Sequence, residues 1–169
     1  MAEDQFITSF DGTRLFYNPE VTADDKAVCV IVHGLCEHQG RYDYMAQKLH
    51  GAGIGTYRFD HRGHGKSEGE CAYYSRWDEI LDDTNVVVDR AIAENPDRPV
   101  FLFGHSMGGY CVALYGVKYP NKNLRGIICN GGLKQHGFSA GSAGLPPGVD
   151  AQRGDEAASR DQNANQNQG

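Results

Sequence analysis

The sequence predicts a doubly wound α/β fold: a mostly parallel sheet with helices on both sides and two antiparallel first strands. Three observations carry this. Strand-sized apolar runs alternate with amphipathic stretches of helical period along residues 27–129. The run at 27–32 is apolar on both faces, the pattern of a central parallel strand. The apolar run 100–103 then passes through Gly104-His105-Ser106-Met107-Gly108 into a helical stretch, so a strand turns there directly into a helix.

Each element has its own warrant. Residues 6–10 and 14–17 flank Asp11-Gly12, a strong hairpin signal, and form the antiparallel entry. After strand 27–32 a helix is expected over 42–50, with Tyr42, Met45, Ala46 and Leu49 on one face and Gly51 and Gly53 ending it. Residues 54–59 form the next strand. The clearest helix covers 77–94, where Trp77, Ile80, Leu81, Thr84, Val88, Ala91 and Ile92 make one stripe. Asp78, Glu79, Asp82 and Asp83 sit at its N-terminal end, where the helix dipole favours negative charge. Pro96 and Pro99 return the chain to strand 100–103; helix 110–119, ended by Pro120-Asn121, and a buried-looking strand 124–129 follow.

Composition narrows the function classes. With 169 residues, 40% of them hydrophobic, the chain can bury one real core, and it has no apolar run long enough for a membrane span. The acidic N-terminus leads into no signal-like apolar region, so a cytoplasmic location is expected. A net charge of -6 gives no basic footprint for nucleic acid. Five scattered cysteines without C-x-x-C spacing predict reduced thiols rather than a disulfide framework or zinc site, with Cys29, Cys111 and Cys129 in apolar, core-like runs.

The chemistry centres on Ser106. A residue at the apex of a sharp strand-to-helix turn is forced into strained backbone angles, so the positions two away on each side must lack bulk; Gly104 and Gly108 meet that need and Gly109 adds clearance. The turn lifts the serine oxygen above the sheet edge and sets the Met107 N–H at a helix N-terminus, where developing negative charge is stabilised. By chance alone such a pentapeptide would occur in about one chain in ten of this composition, so its context matters. His33-Gly34-Leu35 leaves the central strand at the C-terminal edge, where open α/β sheets bind ligands, and the Leu35 N–H can be a second oxyanion donor. The segment Asp60-His61-Arg62-Gly63-His64-Gly65-Lys66-Ser67 reads as a tight turn buttressing this site.

These residues resemble a known family. His33-Gly34-Leu35-Cys36-Glu37-His38, Gly40-Arg41-Tyr42, Asp60 to Ser67 with Glu68-Gly69, and Gly104-His105-Ser106-Met107-Gly108-Gly109 look like the monoacylglycerol lipase and lysophospholipase branch of the α/β-hydrolase superfamily, with an S33 serine aminopeptidase-type hydrolase domain. One departure is Cys36, where that branch commonly has a glycine or another small residue. The resemblance implies acyl transfer to Ser106, an oxyanion held by the Leu35 and Met107 N–H groups, and release of the acid by water. It implies a small lipid or acyl-ester substrate, possible peripheral membrane contact, and no metal or organic cofactor.

The resemblance covers residues 1–132, the N-terminal half of such a hydrolase. In this superfamily the acid and the histidine follow the serine, and neither is identifiable here. Residues 133–169, poor in large apolar side chains and closing on an Asn/Gln-rich run, read as a disordered low-complexity tail in which His136, Asp150 or Asp155 would have to fold back with hydrogen-bond precision to serve. Two readings therefore stand: a serine carboxylic-ester hydrolase, or a catalytically inactive truncated fragment acting as a binding protein. The remaining histidines have plainer roles. His33 is read as a turn residue rather than a base, His105 as packed against neighbouring loops, and His61 with His64 as turn residues lacking a third metal ligand. Arg41 and Tyr42 fit two readings equally well, as residues lining the site or as a helix cap and surface packing. Strand 124–129 becomes a sheet edge if no further strand follows, which predicts edge-mediated self-association.

Overall fold

The computed structural model describes residues 5–131, all within one compact unit, Met1–Lys134. Six described strands order as β1-β2-β4-β3-β5-β6: β1 Phe6–Thr8, β2 Arg14–Glu20, β3 Ala27–Val32, β4 Ile54–Phe59, β5 Val100–His105 and β6 Gly126–Asn130. β1 to β2 and β2 to β4 are antiparallel, and the remaining pairs are parallel. This is the doubly wound, mostly parallel sheet with antiparallel first strands that the sequence predicts. The expected tail at 133–169, with His136, Asp150 and Asp155, lies outside the described residues.

The centre of the sheet follows its sequence pattern closely. All six residues of β3 are buried, because β4 and β5 pair with both its edges and helices cover both its faces. Val28, Val30 and Val32 join Leu81, Val87, Val88, Ala91, Cys111, Val112 and Tyr115 in the larger core, while Cys29 and Ile31 pack with Tyr42 and Phe103 on the opposite face. The hairpin closes through Gly12, whose φ of 94° a side chain would resist.

Differences arise at element ends. β1 stops two residues before the expected 10, at Thr8, while β2 runs on to Glu20 because β4 offers it a ladder, Tyr17 opposite Phe59 and Glu20 opposite Thr56. α1, Asp43–Gly51, begins after a 3-10 turn, Gln39–Tyr42, that carries Tyr42 into the core. α2 is Glu79–Glu94, so Trp77 lies outside the helix and is 72% exposed rather than part of the stripe. Glu79 and Asp83, expected as partners of the helix dipole, are buried. Their reason for burial is Arg62: its guanidinium holds the two Asp83 oxygens at 2.7 Å each and approaches Glu79 at 3.5 Å.

α3 is Met107–Lys118 and starts three residues earlier than expected, since the turn at Ser106 leaves the next residue already helical. β6 begins at Gly126 and is not buried: Ile127 and Ile128 are 37% and 49% exposed, because among the described residues only β5 pairs with it. Cys129 is accordingly exposed rather than in the core, whereas Cys29 and Cys111 are buried and burial pushes both thiols up to about 12.

Candidate active site

β3, β4 and β5 are parallel neighbours, so the segments leaving their C-terminal ends gather at one edge of the sheet. Ser106 follows β5 and caps α3 with φ 54° and ψ -117°, one of three positive-φ residues other than glycine among those described. Such a conformation costs about 1–3 kcal/mol and persists only where its surroundings enforce it. They do so here from both sides: the Ser106 N–H donates to the Asn130 carbonyl of β6 at 2.8 Å, and the Tyr110 N–H donates to the Ser106 carbonyl at 3.0 Å.

The glycines supply clearance. A β-carbon at Gly104 would collide with the Gly108 carbonyl, and one at Gly108 with the Val32 carbonyl at the end of β3. At Gly109 it would lie 2.9 Å from the Asn130 carbonyl. The Gly108 position thus allows α3 to start directly over the end of the central strand. Ser106 itself is exposed, and among the described residues its hydroxyl has no hydrogen-bond partner.

The His33-Gly34-Leu35 segment abuts this turn. A β-carbon at Gly34 would sit 3.2 Å from Ser106 Cβ and 3.3 Å from the His105 carbonyl, which is how near the two backbones pass. The Gly34 N–H donates to Glu37 Oε2 at 3.0 Å, and the same oxygen accepts the Tyr42 hydroxyl at 2.8 Å. Burial raises the Glu37 carboxyl, but the bonds from Tyr42 and Gly34 and the charge of Arg41 outweigh it and hold the group below the usual carboxylate range. The N–H groups of Leu35 and Met107 donate to nothing within the described residues. Cys36 has φ 56°, a left-handed backbone angle that accounts for a preference for glycine there.

The histidines have clear structural partners. His33 is 1% exposed, its Nδ1 donates to the Gly34 carbonyl at 2.7 Å, and its Nε2 accepts the His61 N–H at 3.0 Å. Burial pushes it down to about 4, so it is a neutral turn residue at pH 7, as its place in the sequence suggests. The His105 ring lies against Gly131, where an added β-carbon would be 3.5 Å away. No group of three or more His, Cys, Asp or Glu among the described residues is arranged to hold a metal ion.

The sequence points to Glu37 and Tyr42 as motif residues and to Tyr42 as one that could line the site, but not to their mutual bond, and it gives no sign of Asn130. Glu37 and Tyr42 stand five apart across a turn and act together only once the 3-10 segment folds back; a glutamate so soon after His33-Gly34 was the available hint. Asn130 acts through its main chain, for which no side-chain signal exists.

An apolar groove of about 340 Å³ opens beside Met107, lined by Tyr74, Trp77, Ile80, Tyr110 and Leu114. It lies between the N-terminal ends of α2 and α3, so it faces the same edge of the sheet as Ser106.

The chain is similar to known proteins. The family described as Serine aminopeptidase, S33 matches residues 23–144. The chain is 35% identical over 128 residues to a monoacylglycerol lipase of Mycolicibacterium smegmatis, covering 74% of this chain and 45% of that protein. It is 38% identical over 117 residues to the monoglyceride lipase of Homo sapiens, covering 68% of this chain and 38% of that protein. The crystal structure of the Paleococcus ferrophilus monoacylglycerol lipase superposes with a TM-score of 0.56 at 37% identity, over 67% of this chain and 41% of that one. The chain thus spans less than half the length of the lipases it matches. The strained serine turn, the adjoining His-Gly loop and these similarities together place the chain in the S33 serine aminopeptidase family of α/β hydrolases.

Proposed function

We propose that Ser106 is the nucleophile of a carboxylic-ester hydrolase acting on single-chain lipid esters of the monoacylglycerol or lysophospholipid type. The observation that carries the reading is the strained, exposed Ser106 at the start of α3, beside two N–H groups, Leu35 and Met107, that have no partner among the described residues. In the reaction the Ser106 oxygen adds to the acyl carbonyl as its proton passes to a base. The two N–H groups hold the oxyanion, and the alcohol departs with a proton. Water then attacks the acyl-serine, and the fatty acid leaves with the serine hydroxyl restored. The groove beside Met107 suits a hydrocarbon chain in volume and lining, and the relatives named as monoacylglycerol lipases support an ester of that class.

A second reading, a catalytically inactive binding protein, is favoured by one observation: no described imidazole bonds the Ser106 hydroxyl. A serine lacking its base loses many orders of magnitude in rate. A fluorophosphonate probe and a p-nitrophenyl ester decide between them. Labelling and turnover that vanish in Ser106→Ala support the hydrolase; neither signal above that control supports the binding protein.

A further inference from the structure

We propose that His33 and His61 are positioning residues that set the direction of the Leu35 N–H, and that they do so only while both rings are neutral. This rests on the oxyanion role assigned above to Leu35. The key bond is His33 Nδ1–H to the Gly34 carbonyl, at 2.7 Å. That carbonyl and the Leu35 N–H belong to one planar peptide unit and point in opposite directions, so holding the oxygen fixes where the N–H points. It also polarises the N–H, since hydrogen bonds through a peptide strengthen one another.

The partner atoms fix the protons. An amide N–H can only donate, so His33 Nε2, which accepts the His61 N–H at 3.0 Å, carries a lone pair and the ring proton sits on Nδ1. A carbonyl can only accept, so His61 Nε2, 3.1 Å from the His33 carbonyl, carries the proton and Nδ1 carries a lone pair. The two segments are thus tied reciprocally, imidazole to main chain in each direction. His64 completes the cluster, donating from Nδ1 to the Arg62 carbonyl at 3.0 Å. The three rings pack edge to face with centroids 4.3, 5.4 and 6.0 Å apart.

No second proton has a place to go. On His33 it would face the His61 N–H donor with another donor. On His61 it would occupy Nδ1, which is buried with no partner, as is His64 Nε2. Two carboxylates face the cluster. Asp60, at the end of β4, and Glu37, in the loop itself, both favour a charged His33. Each is committed elsewhere: Asp60 accepts the Gln39 and Lys66 N–H groups at 2.7 and 2.8 Å, and Glu37 accepts the Gly34 N–H and the Tyr42 hydroxyl. Burial prevails, with His64 adding to it, and lowers His33 to about 4; burial and the His33 ring lower His61 well below its ordinary value.

The experiment is nitrogen-15 histidine NMR on the full chain across pH 7.5 to 4, followed by two variants. The expected result is an Nδ1–H His33 and an Nε2–H His61, both neutral well below pH 6, with the Leu35 amide resonance moving only when they charge. In His33→Phe the Leu35 amide should shift at pH 7 and fluorophosphonate labelling of Ser106 should slow by about tenfold to a hundredfold. His33→Asn, which can again donate to the Gly34 carbonyl, should restore both in part. An Nε2–H His33, a ring that charges near pH 6.5, or a folded His33→Phe with an unmoved Leu35 amide would overturn the inference. If Ser106 labels in no variant at any pH, the hydrolase reading falls, while the ring tautomers and the Leu35 amide still decide the positioning role.

Discussion

The turns that follow β4 and β5 stand at the same edge of the sheet and are built on opposite terms. The Asp60 to Ser67 turn is saturated with bonds. Arg62 forks onto Asp83 and reaches Asp11 at 2.9 Å, Asp60 caps two N–H groups, and the Ser67 hydroxyl donates to the Asp60 carbonyl at 2.6 Å while accepting the Phe16 N–H at 2.9 Å. The turn at Ser106 is strained and open, held by two backbone bonds, with a hydroxyl that bonds nothing among the described residues. The saturated turn supports and the strained one is supported: strain at Ser106 can be kept only because its neighbours are over-determined.

The largest break in this contrast is expected at the saturated turn. Asp83→Ala leaves the 9%-exposed Arg62 side chain without its main partner, and losing one member of a buried pair costs about 3–5 kcal/mol, read as a lowered denaturation midpoint. Gly108→Ala attacks the strained turn by driving a β-carbon into the Val32 carbonyl; the expected loss is about 3 kcal/mol, with Ser106 labelling abolished even in the folded fraction.

Acid should act on the segment between the turns. His33 binds a proton less readily folded than unfolded, so its contribution is complete above its ordinary value of 6.5 and is lost as pH falls from there through about 4. The loss is on the order of 3 kcal/mol, and chemical denaturation at pH 7 and pH 4.5 checks it, with His33→Gln expected to flatten the dependence. Ser106→Gly should move the other way. It removes the strain, so the protein gains about 1 kcal/mol while ester turnover disappears; a loss of stability would show that Ser106 is not strained. The smallest effect belongs to the β6 edge, where Ile128→Lys should change stability by under about 0.5 kcal/mol. If exposed Ile127 and Ile128 drive self-association, light scattering will show smaller species in that variant.

Legibility in the sequence tracked the range of the interaction concerned. β3 and β4 match their expected bounds because an apolar run of strand length between breakers is a local signal. The Ser106 turn was legible because two glycines at fixed offsets announce a steric demand. Trp77 and Cys129 were misplaced, the first because a helical stripe extrapolates smoothly past the residue where the helix begins, the second because apolar character alone does not say what covers a strand. The dipole role expected of Glu79 and Asp83 says nothing of their burial, since nothing local tells a carboxylate that an arginine 21 residues before Asp83 will face it.

The sequence by itself determined the fold class, the order of its elements and the place of the strained serine, because hydrophobic period and glycine spacing act over a few neighbouring residues. Only the tertiary structure decided which charges are buried, which carbonyl braces Ser106 and which proton each histidine keeps. Those depend on a lone pair or an N–H arriving from another strand, and a hydrogen bond across the sheet leaves no mark on the spacing of either partner.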